Sequence, residues 1–537
     1  MADQAKKTVF TRESTGLVKN VSFIDAITLN LGNMSVGAGL GTIGLTTGLL
    51  AANAAGVVNS GFNLVLTSLI AFVISIPQII VYTMMTRRLP RTGGDYVWSS
   101  RSFGGFIGSS FSFMGYTLET LAYLALIALS AVFAIGGVLV SLGSTSSYAV
   151  DLSVPGNLFK SVLGITGTAA TNGLIEQFAV GAVIFAVLIA INIFSPRIGY
   201  KLVSVMIIVG VICLVAAILT LFTAGSNGIN NYMNFENTKF FADTNITAVA
   251  ANTPSTAGAF NWNGVFFMIP FFAIFVYPWL NAGPAVGSEI KSKSAVRWNV
   301  PISAVISLTL ITAAFGAMYY AGGFRFVSGA LTGSATSGTF NFWTMAMGVT
   351  TIYPLQVLIG IGWIVWNIGV LAYGVIVFSR YLFAQSFDRF LPSQLSYVSP
   401  RYSSPIYAHV IDLVITIGLI GSAAFVYGTL SSLFGNVVAA MIYFIVVALA
   451  ATYYAMKHEK GSAKWLLGGS GIVMAIVFAY ISYLFLHYPA IWGGNITAYS
   501  YVVASFVIGA VIYLVSQNYH KRQGVDISLA YKEIPPE

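Results

Sequence analysis

The stretch that decides the reading is Gly32-Asn-Met-Ser-Val-Gly-Ala-Gly-Leu-Gly41, a polar, glycine-rich interruption inside the first long apolar segment. Glycine weakens helices, and backbone groups freed in hydrocarbon cost several kcal/mol unless something satisfies them. Such a break persists where unwound backbone lines a cavity and its N–H and C=O groups meet a solute. A second break lies in Phe275-Val-Tyr-Pro-Trp-Leu-Asn-Ala-Gly-Pro-Ala-Val-Gly287, five expected spans later. Paired interruptions in corresponding halves of a chain point to a transporter's central site.

Composition sets the frame. Of 537 residues, 57% are hydrophobic and 8% charged, where a soluble domain carries about 25% charged residues; mean hydropathy is +0.83. The chain reads as an all-α polytopic membrane protein with twelve transmembrane helices, near 22–50, 62–86, 104–141, 174–194, 200–223, 264–288, 300–322, 351–385, 406–428, 431–456, 464–487 and 498–518. The polar first twenty residues carry no apolar run before a small-residue cleavage site, so no cleavable signal peptide is expected. The net charge of +9 does not imply nucleic acid. All 25 Lys and Arg residues except Lys160, Lys239 and Arg325 fall in the N-terminal tail, the even-to-odd loops or the C-terminal tail. The positive-inside rule then puts both termini in the cytoplasm.

The expected organisation is a tail over 1–21, a first five-helix unit over 22–223, an outer loop over 224–263, a second five-helix unit over 264–456, accessory helices eleven and twelve over 457–518, and a tail over 519–537. Five is odd, so the second unit enters the membrane from the opposite side, giving a 5+5 inverted repeat with helices 1 and 6 broken. Outer loops near 142–173, 224–263 and 323–350 are rich in Gly, Ser, Thr and Asn; they either cover an outer vestibule or are solvated connections. Asn245-Ile-Thr and Asn495-Ile-Thr fit the glycosylation pattern in outward loops, with chance as the alternative. The lone Cys213 excludes an intrachain disulfide and a thiolate metal site, and His409, His458, His487 and His520 are scattered, as interfacial or solvated side chains would be. Neither a metal nor another cofactor is expected.

In the first break, Gly37, Ala38 and Gly39 are expected to offer bare N–H groups at the start of a half-helix, where a carboxylate is favoured. Carbonyls near Ser35 and Val36, at the end of the preceding half-helix, suit an ammonium. The competing reading of these glycines is close helix packing. In the second break, Pro278 and Pro284 disrupt the preceding turn, and the carbonyls of Phe275, Val276 and Pro278 are candidates for the ammonium. Tyr277 and Trp279 are candidate gates, with core or lipid-facing packing as the alternative, and Asn281 adds a neutral polar group. Asp25 and Asp412 are expected at the interface. Glu119 lies well inside span three, where a carboxyl is a functional candidate by default; proton coupling or substrate contact stands beside a hydrogen-bonded structural role.

Several stretches together resemble the amino acid–polyamine–organocation (APC) superfamily. Val36-Gly-Ala-Gly-Leu40 is similar to its Ile-Gly-Ser-Gly-Ile signature. Leu89-Pro-Arg-Thr-Gly-Gly-Asp-Tyr96, followed by Phe103-Gly-Gly-Phe-Ile-Gly108, resembles its Pro-x-x-Gly-Gly-x-Tyr loop. Ser379-Arg-Tyr-Leu-Phe-Ala-Gln-Ser-Phe-Asp-Arg-Phe-Leu-Pro392 resembles its Arg-x-x-x-Ala-x-x-x-Asp-x-x-x-Pro loop, and Gly287-Ser-Glu-Ile-Lys291 its end of span six. The resemblance implies a leucine-transporter-like fold and alternating-access secondary transport of an amino acid or related amine across the plasma membrane. It also implies substrate backbone contacts at Ser35, Val36, Ala38, Gly39, Phe275, Val276 and Pro278. Three departures matter. Trp279-Leu280-Asn281 replaces a frequent Gly-Phe-Glu, Gly210 stands where some proton-coupled members carry lysine, and Ala372–Phe378 offers little beyond Tyr373 and backbone where sodium coupling needs hydroxyls. Protons or exchange are therefore expected, not sodium. A polyamine or other organic-cation carrier and a non-transporting nutrient sensor are the alternatives. The expected partners are a small-molecule substrate, the bilayer and protons.

Overall fold

A computed structural model describes residues 16–43, 62–153, 171–240, 262–332, 339–425, 429–487 and 496–535. The two candidate glycosylation sites, Asn245 and Asn495, lie outside the described residues, as does Lys160.

The described residues are helical, with two isolated bridges, Val21 to Ile290 and Thr92 to Val286, and ten of the helices are long and apolar enough to cross a membrane. Polar residues set their ends. Ser22 caps Phe23–Met34 through a reciprocal pair with Asp25, and Asn63 caps Leu64–Arg88 by accepting from Leu66 N–H. Pro196 opens the helix Pro196–Ala224, where its missing N–H costs nothing. Two helices run further than hydropathy indicates. Asp95–Ser141 starts at Asp95 rather than near residue 104 and contains a π-helical turn over Phe113–Leu118. Lys293–Thr332 continues through a bend at Gly323, where φ is 75°.

Burial sorts centre from periphery. In Asp95–Ser141 and Tyr353–Phe387, 89% and 78% of the most apolar stretch is buried, against 17% in Tyr499–Arg522. The first pair forms the centre, and the last is a peripheral helix. Phe23–Met34 packs against Lys293–Thr332, Pro196–Ala224 and Tyr353–Phe387. Both expected interruptions are present. Helix stops at Ser35 and resumes over 36–43, and it stops after Phe275 and resumes at Ala282–Ala285.

Burial refines several expectations. The region 323–350 is not simply a solvated connection: within it, every residue of Phe342–Gly348 is buried. Asp25, Asp412 and His409, expected as interfacial or solvated side chains, are enclosed by protein, at 1%, 0% and 0% exposed. Each is turned inward by its helix and packed among neighbours, a placement that hydropathy averaged over a segment does not register.

Candidate functional site

The first break is built on Ser35. Its φ of 52° and ψ of 30° put it in the left-handed region, which ends the helix. Its N–H donates to the carbonyls of Gly32 and Leu31 at 3.1 and 3.3 Å. Its hydroxyl lies within hydrogen-bond distance of the Gly32 and Asn33 carbonyls at 3.1 and 3.0 Å and of the Tyr123 hydroxyl at 2.8 Å. The next half-helix begins when Gly39 N–H donates to the Ser35 carbonyl at 2.8 Å. That bond bears on two expectations. The Gly39 N–H is engaged, so the open donors are those of Val36, Gly37 and Ala38, which reach no carbonyl among the described residues. The Ser35 carbonyl accepts that one bond, which leaves one lone pair for a further donor.

The glycines also serve close packing. A Cβ on Gly39 would lie 3.0 Å from Phe275 Cβ, so the two breaks meet there. A Cβ on Gly37 would press into the Trp366 ring, with Cε3 at 2.8 Å, and a Cβ on Gly210 would lie 2.8 Å from the same atom. Gly210 is thus accounted for: Trp366 occupies the room a longer side chain would take. From outside the break, Trp343 Nε1 donates to the Gly37 carbonyl at 2.8 Å.

In the second break the backbone is partly spoken for. The Pro278 carbonyl accepts from Gln78 Nε2 at 2.8 Å and from Leu280 N–H at 2.9 Å, which fills both lone pairs and removes it as an ammonium ligand. Trp279 Nε1 donates to the carbonyls of Ile274 and Ala273 at 2.8 and 3.1 Å. The carbonyls of Phe275 and Val276 accept no hydrogen bond from the described residues. Tyr277 turns away from the break, its hydroxyl 2.8 Å from Ser68 Oγ and its ring stacked on Phe272. Trp279 instead faces the first break, stacked on Tyr123 with ring centres 6.0 Å apart.

Asparagines stitch the breaks together. Asn33 Nδ2 donates to Asn281 Oδ1 at 2.8 Å, and Gly283 N–H donates to Asn30 Oδ1 at 2.8 Å. Asn281 Nδ2 reaches the Tyr381 hydroxyl at 3.3 Å. Residues 28–43 and 267–287 are buried throughout, so both breaks are enclosed. The larger cavities described, of about 670 and 610 Å³, lie at the other, basic end of the molecule.

Two carboxyls flank this centre. Glu119 is 2% exposed and accepts from Thr120 Oγ1 at 3.3 Å. Tyr116, Tyr123, Tyr373 and Tyr501 lie within electrostatic range of it. Asp95 is fully buried and accepts from the hydroxyls of Tyr82 at 2.6 Å, Tyr381 at 2.5 Å and Tyr443 at 3.0 Å. A polar chain therefore runs from Asn33 through Asn281 and Tyr381 to Asp95.

Below Asp95, at the basic end, separate segments close on one another. Val21 N–H donates to the Glu289 carbonyl and Lys291 N–H to the Val21 carbonyl, each at 3.0 Å; Gly93 N–H donates to the Ala285 carbonyl at 2.9 Å; the Thr92 and Ser288 hydroxyls bond directly. Arg380 is clamped on Glu289 by bonds of 2.8 and 2.9 Å, and Lys201 on Asp25 at 3.1 Å. Arg101 binds Asp388, with Nη2 to Oδ1 at 2.8 Å, and Arg88 pairs with Glu459. The Arg88 hydrogen bond holds the Glu459 carboxyl below its ordinary value.

Sequence reasoning missed Asp95, Tyr381, Arg380 and Glu289, although each stands in a motif quoted above, and it missed Asn30 and Gln78, whose signal is a polar side chain in an apolar helix. The sequence profile described as "amino acid permease" matches residues 21–514, and the chain belongs to that family, within the APC superfamily. Among curated proteins none matches the chain significantly. The protein is a multi-pass membrane transporter of amino acids or related compounds.

Proposed function

We propose that this protein is a plasma-membrane permease that moves a zwitterionic amino acid by alternating access. Its architecture is read as twelve spans in a 5+5 inverted repeat with two accessory helices. The basic end faces the cytoplasm with both termini, because the Lys and Arg residues gather there. The observation that carries the substrate reading is the junction of the two breaks. Three open N–H groups, at Val36, Gly37 and Ala38, suit a carboxylate at a helix N-terminus. The open carbonyls of Phe275 and Val276 suit an ammonium. One broken helix supplies the anion half of the receptor and the other the cation half.

The stacked Trp279 and Tyr123 are read as the aromatic wall that closes over the substrate; Tyr277, held on Ser68, takes no part. Glu119 is read as the proton carrier, since it is a buried carboxyl with a single described hydrogen-bond donor beside Tyr123. Asp95, held by three tyrosines, is read as the hinge of the inner closure.

A thermal-shift screen of the purified protein against amino acids, amines and nucleobases tests the reading, because a ligand that binds only the folded state raises the melting temperature. A selective shift with an amino acid, followed by its flux into proteoliposomes, supports it. A shift with polyamines alone refutes the zwitterion receptor. Amino acid binding without flux refutes transport and leaves a sensor.

A further inference from the structure

At the basic end a groove of about 670 Å³ opens beside the inner closure. Lys19, Arg87, Lys291, Lys293 and Arg297 line it, and no acidic residue does. Elsewhere at this end Arg88, Arg101, Lys201 and Arg380 each have a carboxylate partner. Arg87, Lys291, Lys293 and Arg297 are exposed and form no ion pair with a described carboxylate. We infer that this groove is a binding site for the phosphate headgroup of an anionic glycerophospholipid.

The exposed cations come from two separate pieces of chain: Arg87 from the end of Leu64–Arg88, and Lys291, Lys293 and Arg297 from the start of Lys293–Thr332 and the residues just before it. Like charges brought together from separate segments repel, and an anion seated among them removes that cost. The helix Lys293–Thr332 also begins in the groove, capped by Ser292, whose Oγ accepts from Ala295 N–H at 3.1 Å. Its positive end adds to the attraction for phosphate.

A free phosphate would need only the charges. The apolar surface beside them selects a lipid. Arg297 lies over the Trp298 ring at 4.9 Å, and Trp298 is 43% exposed. Val305, two turns along the same face, is 54% exposed. An aromatic at the headgroup level followed by an apolar helix face is the surface along which an acyl chain lies. Headgroup and chain are then met by one continuous track, and basic pockets beside transmembrane helices bind anionic headgroups by this chemistry.

The test is binding to the full-length, delipidated protein in neutral detergent, read by native mass spectrometry and thermal unfolding, with phosphatidylglycerol, phosphatidylcholine and inorganic phosphate as probes. Phosphatidylglycerol is expected to be retained and to raise the melting temperature, and the other two are not. Lys293→Gln with Arg297→Gln should weaken phosphatidylglycerol roughly thirtyfold. Lys460→Gln with Lys521→Gln, exposed cations outside the groove, should leave it unchanged. Equal loss in both double variants means a diffuse basic surface and overturns the site, as does wild-type affinity in the groove variant. Phosphatidylcholine binding as tightly as phosphatidylglycerol also overturns it. Inorganic phosphate acting at the lipid's own concentration overturns the lipid assignment. All side chains changed are exposed, and a matching gel-filtration profile shows that each variant is folded. The readout is binding, so it stands or falls independently of whether the protein transports an amino acid.

Discussion

Gly37→Ala is the most informative single change, because this glycine serves both packing and the proposed carboxylate receptor. The added methyl would overlap Trp366 Cδ2 and Cγ and lie 2.8 Å from Cε3, where ordinary contact begins near 3.4 Å. Something must give by more than half an ångström. The Trp366 ring is fully buried and also packs closely on Gly210, so the half-helix that starts at Val36 has to move. Overpacking of this kind costs about 1–3 kcal/mol of stability. The shift also carries the open N–H groups of Val36, Gly37 and Ala38 off their aim. A hydrogen bond to a charged group is worth about 1.5–3 kcal/mol, so losing one weakens the substrate by roughly tenfold to a hundredfold. Gly41→Ala is the control. Its methyl would overlap Trp363 Nε1 and lie 3.1 Å from Cδ1, a comparable crowding, but it lies one turn into the helix with its N–H in the ladder. It should lower the melting temperature while leaving affinity within about threefold of the parent. Binding is measured with whichever amino acid shifts the wild-type melting temperature. If Gly37→Ala loses stability but keeps full affinity, or if both variants lose affinity equally, the N–H receptor is wrong.

Four further outcomes follow from the same geometry. Asn33→Ala and Asn281→Ala should each weaken substrate binding, and a double-mutant cycle should give a coupling of about 0.5–3 kcal/mol, since their side chains bond directly at 2.8 Å; additive losses would sever the breaks energetically. Arg380→Met should cost about 3–5 kcal/mol by stranding Glu289 in the interior, and adding Glu289→Met should restore much of it; denaturation of the single and double variants decides. Glu119→Gln should flatten the pH profile of proteoliposome uptake, and an unchanged profile dismisses Glu119 as the proton carrier. For Arg88 and Glu459, the carboxyl is depressed in the folded state, so the pair's stabilisation is full above about pH 4.3 and fades as pH falls through the lowered value. Glu459→Gln should therefore lower the melting temperature at pH 7, by an effect of less than about 1 kcal/mol, and leave it unchanged in acid.

Most of the helical architecture is legible in the chain because hydropathy and length answer to one solvent, the hydrocarbon core. Helix ends are less so. Asp95–Ser141 begins well before its apolar run, since Gly94 and the tyrosine-held Asp95 fix its start and not hydropathy. Residue by residue, the site was only half legible. Glycine in a lipid-embedded segment announces a break, but which N–H groups stay open depends on the left-handed turn at Ser35 and on the Gly39 bond that follows it. Pro278 and Tyr277 read as site residues, yet Gln78 takes the carbonyl of one and Ser68 the hydroxyl of the other. Both partners come from Leu64–Arg88, about two hundred residues away in sequence, and no local pattern shows which face they present.

The sequence by itself determined the membrane class, the family and the positions of the two interruptions, because each is written in local composition: apolar length, glycine and proline placement, and motif spacing. Tertiary structure alone decided which groups in those interruptions are satisfied and which are left open. It also decided that Arg380 and Glu289, ninety-one residues apart, form one buried pair, and that Asp95 sits among three tyrosines from three different helices. The physical reason is that a hydrogen-bonding group is exhausted by its first good partners. Those partners arrive from distant segments only when the helices pack.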